Sequence, residues 1–283
     1  MAASRSAAGA ATFRAGLADR RLGRLAQFGR LRGQPDAGQV RVNPGDLLVP
    51  YLNCDLSKGA YSSQWIGLDG FVGRPDSVEQ DGIEADCSAA GRPSYQAWHA
   101  MYPRRRAVPK LAIRSGDSVT ASVSFDPANT KFTLTLSDST SGGHFRVHAR
   151  CPRGRRCPRD SAEVISSTPA TETAGHLTIR PLADYGAVSF SGISITDRAD
   201  RRGALRSAHW AVTRIIQARP AAPFQLIARP TPIEADAFDN YWSRALANSA
   251  KPVGPLDVMV GHLLSLERQQ VPNHVTGGTG GGR

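Results

Sequence analysis

The sequence predicts an all-β protein whose antiparallel sheets are packed face to face or closed into a barrel. Apolar residues recur at every second position over much of the chain, the period of a half-buried strand. The runs are short and are separated by turn residues: 28 Gly and 19 Pro stand among 283 residues, well above the roughly 12% usual for the two together. Nothing between the runs reads as a long helix, and neither a phosphate loop nor a dinucleotide fingerprint is present, which argues against a nucleotide-binding α/β unit.

Taken in order, residues 1–44 read as an irregular, Arg-rich leader. Within it LADRRLGRLAQFGRL places Leu22, Leu25, Phe28 and Leu31 three apart with arginines around them. This spacing fits one side of a basic amphipathic helix that Gly23 and Gly29 weaken, or else a disordered leader or a stretch packed on the domain. From residue 45 the period becomes two. Val119, Ala121, Val123 and Phe125 alternate with Thr and Ser, as do Phe132, Leu134 and Leu136, while Phe145, Val147 and Ala149 alternate with Arg146 and His148. FDPANTKF and SDSTSGGHF are the turns between these strands. Val188 and Phe190, then Ile193 and Ile195, slip by one residue at Ser191-Gly192, as a bulge would produce. Trp210 and Val212, then Phe224 and Leu226, continue the series to residue 242. Residues 243–283 form a C-terminal appendage in which DVMVGHLLSLERQQ predicts a short helix ahead of a Gly-rich flexible end.

Lys plus Arg exceed Asp plus Glu by 11, and only four of the 35 basic residues are lysines. The densest clusters, Arg104-Arg105-Arg106 and the set Arg153, Arg155, Arg156 and Arg159, fall in proline-flanked loops without interleaved stacking aromatics. They read as solvated loop tips, and no nucleic-acid partner is expected. No apolar run is long enough for an ordinary membrane-spanning helix, and residues 1–18 lack the compact apolar stretch of a secretory signal. The four cysteines form no CxxC and sit near no histidine at zinc-finger spacing, so no metal site is expected. Cys151 and Cys157 bracket a loop that a disulfide could close, and Cys54 could pair with Cys87 across strands.

Two stretches carry the chemistry. Residues 61–103 hold Tyr61, Trp65, Tyr95, Trp98 and Tyr102 together with Asp69, Asp76, Glu79, Gln80, Asp81, Glu84 and Asp86. Rings and carboxylates so mixed describe either a groove for an extended polymer or core aromatics with surface acids. In RDSAEVISSTPA, Glu163 alternates with Ala162 and Val164 at the start of a strand. It is either an ordinary solvent-facing glutamate or a carboxyl kept for its proton affinity.

WIGLDG, VEQDGIEADC, SYQAWHAMYP, SAE and LADYGAVSF, in this order and at these intervals, resemble the glutamic peptidases of the G1 family, the eqolisins. The resemblance covers about residues 48–242. It implies a concanavalin-like sandwich of two antiparallel sheets, an acid-acting endopeptidase, protein or peptide substrates, no cofactor, an extracellular location and a monomer. It passes the catalytic roles to Gln80, in VEQDG, and Glu163, in SAE. Trp65 and Asp69 match the element lining the family's groove, and Tyr95 and Trp98 join them as candidate substrate contacts.

Peptide hydrolysis needs a water deprotonated as it attacks, a donor for the oxyanion and a proton for the leaving amine. A glutamate can take the first proton and return it to nitrogen, while a neutral glutamine amide positions the water and donates to the oxyanion. Acid operation fits a carboxyl titrating near the reference value of about 4.3. The sequence departs from the family in two places: Val164 stands where SAE is normally followed by Trp, and no counterpart of the family's first strand is recognisable upstream of Val49-Pro50. The competing expectations are an impaired relative and a sandwich module that binds peptide or carbohydrate without turnover.

Overall fold

A computed structural model of the chain describes residues 29–32, 37–70, 77–173, 176–197, 199–214, 217–219 and 225–242. Their regular structure is entirely strand: β1 (Gly29–Arg32), β2 (Ala37–Leu48), β3 (Tyr61–Leu68), β4 (Val78–Cys87), β5 (Pro93–Tyr102), β6 (Ser118–Asp126), β7 (Lys131–Asp138), β8 (His144–Ala149), β9 (Ala162–Ser167), β10 (Ala170–Thr173), β11 (His176–Ile179), β12 (Ala187–Phe190), β13 (Ser194–Asp197), β14 (Arg202–Ala204), β15 (Ala211–Arg214), β16 (Gln217–Arg219), β17 (Gln225–Pro230) and β18 (Phe238–Trp242).

Two antiparallel sheets face each other. One has six strands in the order β15-β1-β9-β3-β4-β5; the other runs β16-β17-β18-β12-β2-β6-β7-β8, with β13 and β14 continuing beside β2. Strands β10 and β11 form a separate ribbon. In β6 and β7 the expected alternation holds residue by residue. Val119, Ala121, Val123, Phe132, Leu134 and Leu136 are buried on the inner face, and the Ser and Thr between β7's apolar residues lie outside. From the six-stranded sheet Ile66, Leu68, Ile83, Ala97, Met101, Ala162 and Val164 meet them in one core, β3 and β4 lying across β6 and β7. Each fully buried Val, Leu, Ile, Phe or Met side chain among them contributes about 1.5–3 kcal/mol of transfer free energy.

The slip expected at Ser191-Gly192 is a break between β12 and β13. Gly192 takes φ +56°, and both strands pair with β2, through Phe190↔Leu47 and Ile195↔Val40. Val188, Phe190, Ile193 and Ile195 all remain buried on the core.

The leader expected over residues 1–44 is corrected in its second half. β1 pairs with both β9 and β15, so a strand does stand upstream of Val49-Pro50 within the six-stranded sheet. The boundary at residue 45 falls inside β2, a strand of the larger sheet. Of the leucine stripe, Leu31 lies in β1; Leu22, Leu25 and Phe28 lie outside the described residues, as do Phe224 and the appendage of residues 243–283 with its expected helix.

Cys54 is bonded to Cys87, Cα–Cα 5.2 Å, tying the loop after β2 to the end of β4. Cys151 is bonded to Cys157, Cα–Cα 6.0 Å, closing the Arg-rich loop ahead of β9. Arg153, Arg155 and Arg156 on that loop are exposed. Arg106 is not a loop tip: its guanidinium is nearly buried in an ion pair with Glu84, which also accepts from Gln96.

Candidate active site

The centre of the six-stranded sheet brings the two distant candidates together. Gly67 of β3 stands opposite Gln80 of β4 on one side and opposite Glu163 of β9 on the other. Residues directly opposite in antiparallel strands project to the same face. Gln80 and Glu163 therefore rise from the same face, two strand spacings or about 10 Å apart at their Cα atoms. The residue between them has no side chain. A Cβ on Gly67 would lie 3.4 Å from the Cβ of Gln80 and 3.2 Å from Cζ3 of Trp65, so the Trp65 indole reaches over the gap beside Gln80.

Gly70 closes the arrangement from above β3. It adopts φ +104°, and a Cβ there would stand 2.9 Å from a methyl of Val78 and 3.2 Å from each carboxylate oxygen of Glu163. The absence of a side chain at Gly70 thus leaves the space beside the Glu163 carboxylate open. Gln80 and Glu163 are each 1% exposed, and the Gln80 side-chain amide has no hydrogen-bond partner among the described residues. A buried amide is costly to leave without a partner.

Trp65 and Trp98 share this face on either side of Gly82, to which both are paired. A Cβ on Gly82 would meet the Trp65 Cβ at 2.6 Å and the Gln64 carbonyl at 2.2 Å, so only glycine fits between the rings. The indoles meet edge to face at 6.4 Å. Trp98 donates Nε1–H to Ser63 Oγ at 3.1 Å and Trp65 donates to Ser167 Oγ at 3.3 Å. Trp98 is fully buried; it braces Trp65 and offers no free ring.

Tyr95, expected among the substrate contacts, is placed otherwise. It stands three residues from Trp98 and pairs with Ala85, on the opposite, core-facing side. An odd offset along a strand reverses the face. The same rule sends Glu79 and Asp81 inward, away from Gln80 between them. Burial pushes the Asp81 carboxyl well above the usual range, eased by the Thr135 backbone of the opposing sheet. Val164 also faces inward, into the core.

Asp69, immediately after β3, has φ +66°. Its N–H donates to Ser161 O at 3.0 Å, and its Oδ1 accepts from Asp160 N–H at 3.0 Å. It thus ties β3 to the segment leading into β9, three residues from Glu163, and contacts the site through backbone. Burial, opposed by a hydrogen bond from Glu79 and by Asp160 N–H, raises its carboxyl to about 7. Sequence reasoning missed Gly67, Gly70 and Gly82; the signal was present in WIGLDG and VEQDG, where glycines interrupt strands otherwise rich in large side chains. Among the described residues no cluster of His, Cys, Asp and Glu could hold a metal ion.

The arrangement is a glutamate and a glutamine on one face of the sheet, on either side of a glycine and beside an indole. The chain matches the model of the Peptidase A4 family over residues 29–221. Among solved structures it resembles scytalido-glutamic peptidase with a peptide-based transition-state analogue, TM-score 0.60 at 20% identity, covering 77% of this chain and 98% of that one. It resembles SCP-B, an eqolisin in complex with the tripeptide Ala-Ile-His, TM-score 0.59 at 19% identity over 77% and 98%. The aspergilloglutamic peptidase of Aspergillus niger follows, TM-score 0.52 at 20% identity over 65% and 99%. No curated protein matches the chain. These likenesses show the sandwich, and the family match, spanning well over half of the sequence, shows the kinship: the chain belongs to the Peptidase A4 family, the glutamic peptidases or eqolisins.

Proposed function

We propose that the protein is an acid-acting glutamic endopeptidase in which Glu163 is the general base and Gln80 the oxyanion donor. One observation carries the reading: Gln80 and Glu163 flank Gly67 in register on one face of the sheet, with Gly70 leaving open the space a Cβ would take beside the carboxylate. The ionised Glu163 takes a proton from a water as its oxygen bonds to the scissile carbonyl carbon. The Gln80 amide N–H donates to the oxyanion, and as the C–N bond breaks Glu163 returns the proton to the amine. In this dry setting the amide dipole acts at low dielectric, where it is worth more than in water. Two bonded cysteine pairs fit an oxidising compartment outside the cytosol.

The test is digestion of a generic protein substrate between pH 2 and pH 8 by the wild type and by Gln80→Ala. The wild type is expected to cut in acid and stop toward neutrality. Gln80→Ala should lose about 10²–10³ in kcat, the scale of one oxyanion donor. Intact substrate at every pH would instead mark a binding module or an inactive relative.

A further inference from the structure

Gly67, Gln80 and Glu163 lie near one end of the six-stranded sheet, where β3 leaves at Leu68 and β4 and β9 begin at Val78 and Ala162. Both exposed arginine clusters lie at this same end. β5 runs out here, Tyr102 standing opposite Val78, and the chain turns through Arg104, whose N–H donates to Met101 O at 2.8 Å, into Arg105. The loop closed by Cys151 and Cys157 is fastened to the same end by Ser77, whose Oγ–H donates to Arg156 O at 2.9 Å immediately ahead of β4. Ser77 precedes Gln80 by three residues, about 10 Å along an extended strand. Arg104, Arg105, Arg153, Arg155 and Arg156 are all exposed, and among the described residues none of them makes an ion pair. Arg106 and Arg201, by contrast, are paired with Glu84 and Asp197, and Arg159 and Arg180 lie over the rings of Phe125 and Tyr61.

We propose that these exposed arginines are specificity-determining residues: they form a cationic rim beside the candidate site that binds carboxylate side chains of an acidic peptide, about two to four residues from the bond to be cut. This deepens the peptidase reading and rests on it for the cleavage. The loop before β9 holds its guanidinium groups in place. Pro152 to Arg155 is a tight turn closed by Arg155 N–H to Pro152 O at 3.0 Å, with Gly154 at φ +75° in the third place, where a type II turn requires a positive φ. The disulfide joins the flanks of that turn, and Cys151 Sγ lies 3.5 Å from Arg155 O. A site ordered before binding loses less freedom when its ligand arrives. Guanidinium forks match carboxylates in geometry as well as charge. One exposed pair adds little on its own, whereas several like charges at one rim raise the local concentration of an anionic ligand. The acids nearby do not neutralise the rim. Asp69 is buried and accepts from Asp160 N–H. Glu84, four residues further along β4 than Gln80, is held by Arg106 and Gln96. Asp160 is the one carboxyl in the segment joining the loop to β9.

The experiment measures kcat/KM of the full-length wild type on pairs of peptides that differ at one residue, Glu or Gln, walked through each position on both sides of the cut. At pH 5 most of a substrate glutamate is ionised. There the Glu peptide is expected to be cut about five to ten times more efficiently than its Gln partner at positions on one side, chiefly through KM. At pH 3 the same carboxyl is protonated and the ratio should return to about one. Replacing Arg104, Arg105, Arg153, Arg155 and Arg156 together with Gln should abolish the preference. Arg155→Glu alone should lower it, and serves if the combined variant does not fold. Arg146→Gln, exposed on β8 of the other sheet, should leave rate and ratio as in the wild type. Equal cleavage of Glu and Gln peptides at every position at pH 5, a preference unchanged at pH 3, or one that survives the arginine substitutions overturns the rim. Fluorescence polarisation of the same peptides, labelled, with the wild type at pH 5 separates the two readings. If none is cut while the Glu peptides bind about five times more tightly, the rim stands and the peptidase reading falls; if all are cut without preference, the peptidase reading stands and the rim falls.

Discussion

At Gly70 two constraints coincide: a φ of +104°, and a position where a Cβ would stand 3.2 Å from each carboxylate oxygen of Glu163. Gly70→Ala should therefore destabilise the fold by about 1–3 kcal/mol through backbone strain alone, and reduce kcat further by crowding the base. Thermal unfolding and steady-state kinetics on the same preparation check both parts. A variant with unchanged kcat would show that Glu163 does its work away from Gly70. Neither glycine nor glutamine announces such roles by composition. Gln80 enters as a candidate only through the resemblance of VEQDG and SAE to the glutamic peptidases, since an amide among carboxylates has no pattern of its own. The assignment of Tyr95 to the groove failed on parity. Counting aromatics in a window ignores the face, whereas its odd offset from Trp98 places it on the core side.

Elements were legible in proportion to the difference between their two faces. β6 and β7 bury one side and expose Ser and Thr on the other, so their period of two is plain in the sequence. β4 and β9 are buried on both sides, with the core beneath and the candidate site above, and a strand buried on both faces loses the alternation that would betray it. β1 is not legible as a strand because its residues end a leucine stripe at helical spacing; pairing with β9 and β15 overrides that local preference. Two tests belong here. Leu134→Ala in β7, fully buried between the sheets, should cost about 2–5 kcal/mol of stability, measured by urea unfolding, without altering the pH profile of cleavage. Replacing Cys54 and Cys87 together, which opens a link across 33 residues, should cost about 2–5 kcal/mol. A loss of activity without loss of stability in the cysteine variant would mean that the loop after β2 contributes to the site.

Over the whole molecule, buried carboxyls set the direction of the pH response. Asp69 is raised to about 7, and Asp86 to about 8 by burial and then by the charge of Glu84. Glu79 and Asp81 are raised well above the carboxylate range. In the unfolded chain the same groups titrate near 4. The folded state therefore binds more protons between about pH 4 and pH 8, and the stability they contribute is complete below pH 4 and is lost as pH rises through the folded values. Urea midpoints at pH 3.5, 5.5 and 7.5 should fall in that order; a midpoint that rises toward neutrality would contradict it. Acid resistance then belongs to the same sheet as the proposed acid chemistry. That chemistry is tested most directly by Glu163→Gln, which keeps shape and removes the base. With the near-UV spectrum and unfolding midpoint of the wild type, this variant should cleave a peptide substrate at its acid optimum about 10²–10⁴ times more slowly; cleavage at the wild-type rate would contradict the assignment of Glu163 as the base.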